Sequence, residues 1–165
     1  MKNMKNSSII ILVSLSLTNC LPEPNYPNEP EINFLSFDIS EDNSAVLSIE
    51  FTDGDGNLGL NSSDTLPPHC STCDHHFNLM CEYDELRNGN WTHIPLNPAQ
   101  GQVPFYYRVP RVTPSGSVPA LNGVIEIAMN TWSLQSDYDT LRFRLSLEDR
   151  DLNISNQDTT SIIIK

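Results

Sequence analysis

The stretch Asp53-Gly54-Asp55-Gly56-Asn57-Leu58-Gly59-Leu60-Asn61-Ser62-Ser63-Asp64 concentrates residues that can do chemistry. Asp53, Asp55 and Asn57 stand at every second position, and three glycines let the backbone fold tightly around whatever the side-chain oxygens face. Calcium takes about six to eight oxygen ligands, so alternating Asp and Asn on a turning loop make a candidate calcium site. With Asp53 as position one, Asp55 falls at three, Asn57 at five, Gly59 at seven for a backbone carbonyl, and Asp64 at twelve. That spacing follows much of an EF-hand loop. It departs where Leu58 replaces the glycine such a loop needs, where Asp64 replaces the long bidentate glutamate, and in having no helical pattern on either flank. The same residues suit an ordinary turn, in which Asp side chains bond nearby backbone N–H groups.

A second constellation is His69-Cys70-Ser71-Thr72-Cys73-Asp74-His75-His76. Cys-x-x-Cys beside histidines suits zinc, which takes four N or S ligands, or a redox dithiol, or a local disulfide, with a pair of inert thiols as the plain alternative. Asp74 stands where a haem-attachment motif needs histidine, and no βαβ pattern surrounds the pair as a thioredoxin-like site requires. His93 reads as a surface residue. Trp91 and Trp132 read as core or edge packing, with an exposed ring that stacks on sugar as the alternative.

Compartment bears on the choice. Lys2 and Lys5 open the chain, Ser7 to Leu17 is apolar or small, and Cys20 follows Leu17-Thr18-Asn19. This resembles a bacterial lipoprotein signal peptide: the apolar run is too short to span a bilayer as a helix, and it sits behind a basic start. The resemblance implies cleavage after residues 1–19, a diacylglycerol on the Cys20 thiol, and a membrane-anchored protein of the cell envelope, at the outer membrane. Asn19 departs from the usual Gly, Ala or Ser before the cysteine. An ordinary secretory signal cut nearby, with Cys20 a spare thiol, is the alternative, and it too places the protein outside the cytoplasm. Oxidising compartments favour a disulfide between Cys70 and Cys73. Without Lys2 and Lys5 the chain keeps seven basic against twenty-one acidic side chains, a formal charge of about −14. So acidic a surface argues against nucleic acid, whose phosphates call for Lys and Arg clusters, and tolerates divalent cations.

The elements that position these residues follow period two. Residues 20–31 are the lipidated cysteine and a tether with four prolines between Leu21 and Glu31, which favours an extended chain. One domain, 32–165, follows. Ile32 to Ile39 has β-type content, and Ala45 to Thr52 sets Leu47, Ile49 and Phe51 against Ser48, Glu50 and Thr52. Leu79, Cys81 and Tyr83 share one face of a third strand, which makes Cys81 a small core residue. Asn88-Gly89 is a hairpin turn into Trp91 to Ile94. Phe105 to Val112 reads as a strand that Pro110 demotes to an edge or bulge, Val124 to Met129 as another, and Trp132 to Asp139 as a connection with room for a helical turn. Thr140 to Leu147 alternates Leu141, Phe143, Leu145 and Leu147 with Arg142, Arg144 and Ser146, and Ser161 to Lys165 closes the chain. Seven or eight short strands predict an all-β fold, an immunoglobulin-like antiparallel β-sandwich. In such a sandwich the loops after the second and sixth strands share one end, which brings Glu148, Asp149 and Asp151 toward Asp53 and Asp55. Unpaired carboxylates gathered there repel unless a cation bridges them.

Phe51-Thr52 with the loop after it to Leu60, Asp64-Thr65, Asn78-Leu79, Tyr83, Asn88-Gly89, Asp139 to Phe143 and Asp149 to Asn156 together resemble a group of uncharacterised bacterial surface lipoproteins. The likeness covers most of the chain after the signal, and the His69 to His76 insertion departs from it. It implies a single immunoglobulin-like domain on the surface and brings no activity. No Gly-x-Ser-x-Gly elbow, His-Glu-x-x-His or phosphate-cradling glycine loop is present, so the expected role is non-enzymatic. The leading reading is a binding or accessory module anchored in the lipid bilayer through acylated Cys20, with calcium stiffening one loop end and an envelope protein or glycan as partner. A carbohydrate-binding or adhesion lipoprotein and a metal or redox protein built on the Cys/His insertion are the alternatives.

Overall fold

Alternating apolar residues every two positions give strands with one face to bury, and two sheets packed face to face bury both at once. The computed structural model describes residues 25–114 and 119–165; Cys20 and the signal segment lie outside them. The strands are β1 (Glu31–Ile39), β2 (Ala45–Asp53), β3 (Leu79–Arg87), β4 (Asn90–His93), β5 (Phe105–Tyr107), β6 (Leu121–Met129), β7 (Thr140–Leu147), β8 (Asp158–Thr159) and β9 (Ile163–Ile164). One sheet runs β1-β2-β6. In the other, β3 and β7 pair at the centre, with β4 and β5 along the outer side of β3 and β8 and β9 along that of β7. All pairings between these strands are antiparallel. The chain changes sheets after β2 and returns to it at β6, the path of an immunoglobulin-like sandwich.

The core follows the alternation. Leu47, Ile49 and Phe51 from β2 meet Leu79, Cys81 and Tyr83 from β3 and Leu141, Phe143, Leu145 and Leu147 from β7. Phe143 sits at its centre, its ring 5.8 Å from Phe37, 5.6 Å from Tyr83 and 5.2 Å from Phe105. Cys81 is a free, buried thiol among them.

Three local expectations need correction. The described residues form nine strands, because the end of the chain pairs with β7 twice, as β8 and β9, instead of once over Ser161 to Lys165. The strand read from Phe105 to Val112 stops at Tyr107. Pro110 offers no N–H to a ladder, and its segment leaves β3 to bridge Leu60 instead. No α-helix occurs among the described residues, and Trp132 to Asp139 is a run of bends; a single 3-10 turn spans Pro98–Gln100.

Strand registers settle which loops share a pole. The end of β2 lies beside the start of β1, with Thr52 opposite Glu31, and the end of β7 beside the start of β3, with Leu147 opposite Leu79. Side chains after β7 then close the gap between sheets: Asn156 accepts from Ile32 N–H at 2.8 Å and donates to Ile32 O at 2.9 Å, and Asp158 accepts from Phe34 N–H at 2.6 Å. These bonds occupy donors that an open edge strand would leave free.

Candidate metal centre at the acidic pole

Asp53 is the last residue of β2 and its side chain points inward, so the fold buries a carboxylate completely. One oxygen, Oδ2, accepts from Leu58 N–H at 2.9 Å, which closes the loop into a turn. The other, Oδ1, is buried without a partner. Among the described residues the buried side-chain oxygens in that condition are Thr52 Oγ1, Asp53 Oδ1 and Asn57 Oδ1, all in one six-residue stretch. Buried polar atoms almost always find a partner, because burying one bare costs about 1–3 kcal/mol. Two orphaned acceptors four residues apart, one on a carboxylate and one on an amide, call for a donor or a cation.

Neighbouring charge sharpens the demand. The Asp53 carboxyl is pushed up to about 6, first by burial and further by the negative charges of Asp55 and Asp149, against the opposing hydrogen bond from Leu58. Asn57 lies between the two arms of the pole. Its amide nitrogen donates to Asp55 Oδ2 and to Asp151 Oδ2, each at 3.1 Å, and its backbone N–H donates to Asp55 Oδ1 at 3.3 Å. A single –NH2 group thus separates carboxylates from the two loops. Asp149 is buried and faces away into its own turn, Oδ1 accepting from Asn153 N–H and Oδ2 from Asn153 Nδ2, both at 2.8 Å.

Asp53, Asp55, Asn57 and Asp151 therefore come together, with Asp149 behind them as a fixed negative charge. Asp64 does not join them. Asp64 pairs with Arg150 and accepts from Asn61 N–H at 2.8 Å, and the Arg150 guanidinium holds its carboxyl down to about 2. Gly59 has φ of 86° and runs so close to Pro110 O that a Cβ would collide with it, so glycine here serves close packing. The adjoining carbonyls are taken too: Leu58 O by Val112 N–H at 3.3 Å, Leu60 O by Arg111 N–H at 3.2 Å and Asn57 O by the Arg111 guanidinium at 2.8 Å.

The residues fit a hard oxygen-seeking cation in kind, as two orphaned buried oxygens, on Asp53 and Asn57, with the carboxylates of Asp55 and Asp151 on the Asn57 amide. They do not form a closed cage: among the described residues no three His, Cys, Asp or Glu side chains stand in a metal-holding group. Asp55 and Asp151 are held apart by the Asn57 –NH2 group between them. The oxygens gathered here are acceptors suited to a cation or to a hydrogen-bond donor.

The insertion lies against the same pole. Cys70 and Cys73 are joined in a disulfide with Cα atoms 5.0 Å apart, so neither is a free thiolate for zinc. Arg108 ties the segment down, donating to the carbonyls of Asn61 at 3.0 Å, Asp64 at 2.8 Å, His69 at 3.4 Å and His76 at 2.7 Å. No spacing in the sequence announces that latch. The tether side also ends here: Gly54 N–H donates to Pro27 O at 2.7 Å, and Asn122 Nδ2 donates to the Tyr26 hydroxyl at 3.1 Å.

Neither tryptophan faces this pole. Trp132 is buried, its indole N–H donating to Asn43 O at 2.9 Å at the opposite end, and Trp91, opposite Leu86 near the far end of β3, carries the Arg142 guanidinium 4.4 Å above its ring. A cleft of about 980 Å3 opens between β5 and β6, lined by Phe105, Tyr107, Met129 and Leu134, with Glu85 buried and paired to Arg87 at 2.7 Å. Its walls come from four distant stretches of sequence, and no local pattern marks them. Comparison with models of known families, with curated proteins and with solved structures found no match for this chain.

Proposed function

We propose that this chain is a lipoprotein of the cell envelope, a non-enzymatic binding or accessory module anchored at the outer membrane through acylated Cys20, whose acidic pole is organised by calcium. The observation that carries the calcium part is the completely buried Asp53 carboxylate with one oxygen unpartnered, facing further carboxylates. Calorimetric titration tests it. Calcium should bind at one site, and Asp53→Ala with Asp55→Ala should abolish the heat; equal affinity in the double variant would remove the assignment.

Contacts of Tyr26 and Pro27 on the loop support an orientation as well. Cys20 lies six residues before Tyr26, a chain reach of at most about 20 Å, so an acyl anchor there puts the acidic pole on the membrane side. The Asn88-Gly89 hairpin and the 130–139 connection then face outward, toward an envelope partner. The anchor is tested by labelling with palmitate and by fractionation. Cys20→Ser should lose the label and leave the membrane fraction, whereas a variant still labelled and sedimenting with membranes would rule out this anchor.

A further inference from the structure

We infer that the disulfide-stapled insertion sets the cation affinity of the acidic pole, so that opening Cys70–Cys73 weakens calcium binding without unfolding the sandwich. The inference rests on the calcium reading above and concerns how that site is held. Glu148, Asp149, Arg150 and Asp151 follow β7 directly, and their side chains divide between two neighbours. Glu148 turns to the insertion, His75 Nδ1 lying 2.9 and 3.0 Å from its two oxygens, and Arg150 pairs with Asp64 at the end of the acidic stretch. Asp151 turns to the acidic loop and accepts from Asn57, while Asp149, held in its own turn by Asn153, acts on Asp53 only through its charge. The insertion thus grips Glu148, at the start of the arm that brings Asp151 to the site.

That grip depends on cross-links. From residue 61 to 77 only His69 is buried, and Leu66 is exposed, so little apolar burial holds the segment in shape. It is held by the disulfide, by Cys73 N–H donating to Cys70 O at 2.9 Å and His76 N–H to Cys73 O at 3.2 Å, by the His69 and His76 rings on the carbonyls of His75 and His69, and by Arg108. The disulfide is the covalent member, and it lies two residues before His75. With it open, His75 loses its fixed place opposite Glu148, and the cation must itself supply that part of the arm's order. Ordering a freed segment on binding lowers affinity. The sandwich core shares none of these contacts, since its buried residues lie in the strands and in the Leu58, Val109 and Trp132 segments.

The test compares calcium affinity in the oxidised chain, in the chain reduced by dithiothreitol, and in His75→Ala. In the reduction the S–S bond accepts two electrons and two protons from the dithiol, which closes to its own cyclic disulfide and leaves Cys70 and Cys73 as thiols. Reduction should weaken calcium binding roughly tenfold, within the range of ordinary coupling between sites, while the melting temperature in chelator stays within a few degrees. His75→Ala, which keeps the staple and cuts only the grip on Glu148, should weaken binding in the same direction. Affinity unchanged on reduction, in an oxidised chain that does bind calcium, overturns the coupling alone. No calcium binding by the oxidised chain overturns the site and the coupling together.

Discussion

In chelator at neutral pH, Asp53→Asn should melt higher than the unaltered chain, by about 1–3 kcal/mol of stability, and should no longer respond to calcium. Folding raises the Asp53 carboxyl from 3.8 to about 6, so at neutral pH the fold carries a buried negative charge that it resists. Each pH unit of such a shift corresponds to about 1.4 kcal/mol, and relaxation around the loop trims the total. Asparagine keeps the acceptor for Leu58 N–H and replaces the bare Oδ1 with a donor directed at the acidic neighbours. The charge penalty goes and the cation loses its principal ligand.

The direction with pH follows. Because the folded state holds the Asp53 proton more tightly than the unfolded chain, the stability this contributes is whole below about pH 4 and is lost as pH rises through about 6. Calcium acts against that loss, since it binds the carboxylate and competes with the proton. The calcium response of the unaltered chain should therefore grow across the same window, and in Asp53→Asn both the pH slope and the calcium response should vanish. A variant that melts lower in chelator and keeps its calcium response would mean that the Asp53 carboxylate is a structural turn residue.

The fold was legible where side-chain alternation is strict. Leu47, Ile49 and Phe51, and Leu141, Phe143, Leu145 and Leu147, identify their buried faces without ambiguity, because a strand that shifts by one residue would turn every one of them to solvent. Asn88-Gly89 likewise specifies its hairpin, with φ of 51° and 81° at the two positions. The ends of strands were less legible, since Pro110 and the last eight residues obey long-range pairing that no local pattern records. The pole itself was half legible. Spacing marks Asp53, Asp55 and Asn57, and immunoglobulin-like topology brings Asp149 and Asp151 to the same end. Spacing also nominated Asp64, which an arginine 86 residues away takes, and Gly59, whose close approach to Pro110 requires glycine for a reason that spacing does not record. Arg108 and Arg111, which satisfy the loop carbonyls, and Asn153, which occupies Asp149, act through contacts that only the tertiary fold creates.

Whether a divalent cation completes the acidic pole is decided by a thermal melt of the purified chain at neutral pH, once in calcium and once in chelator. A ligand at about a hundredfold its dissociation constant adds roughly 2.7 kcal/mol, a rise of about 5 to 10 °C for a domain of this size. That rise, absent in Asp53→Asn, is the expected result. Coincident melts in calcium and chelator would contradict it and return Asp53 to Asp64 to ordinary turn chemistry.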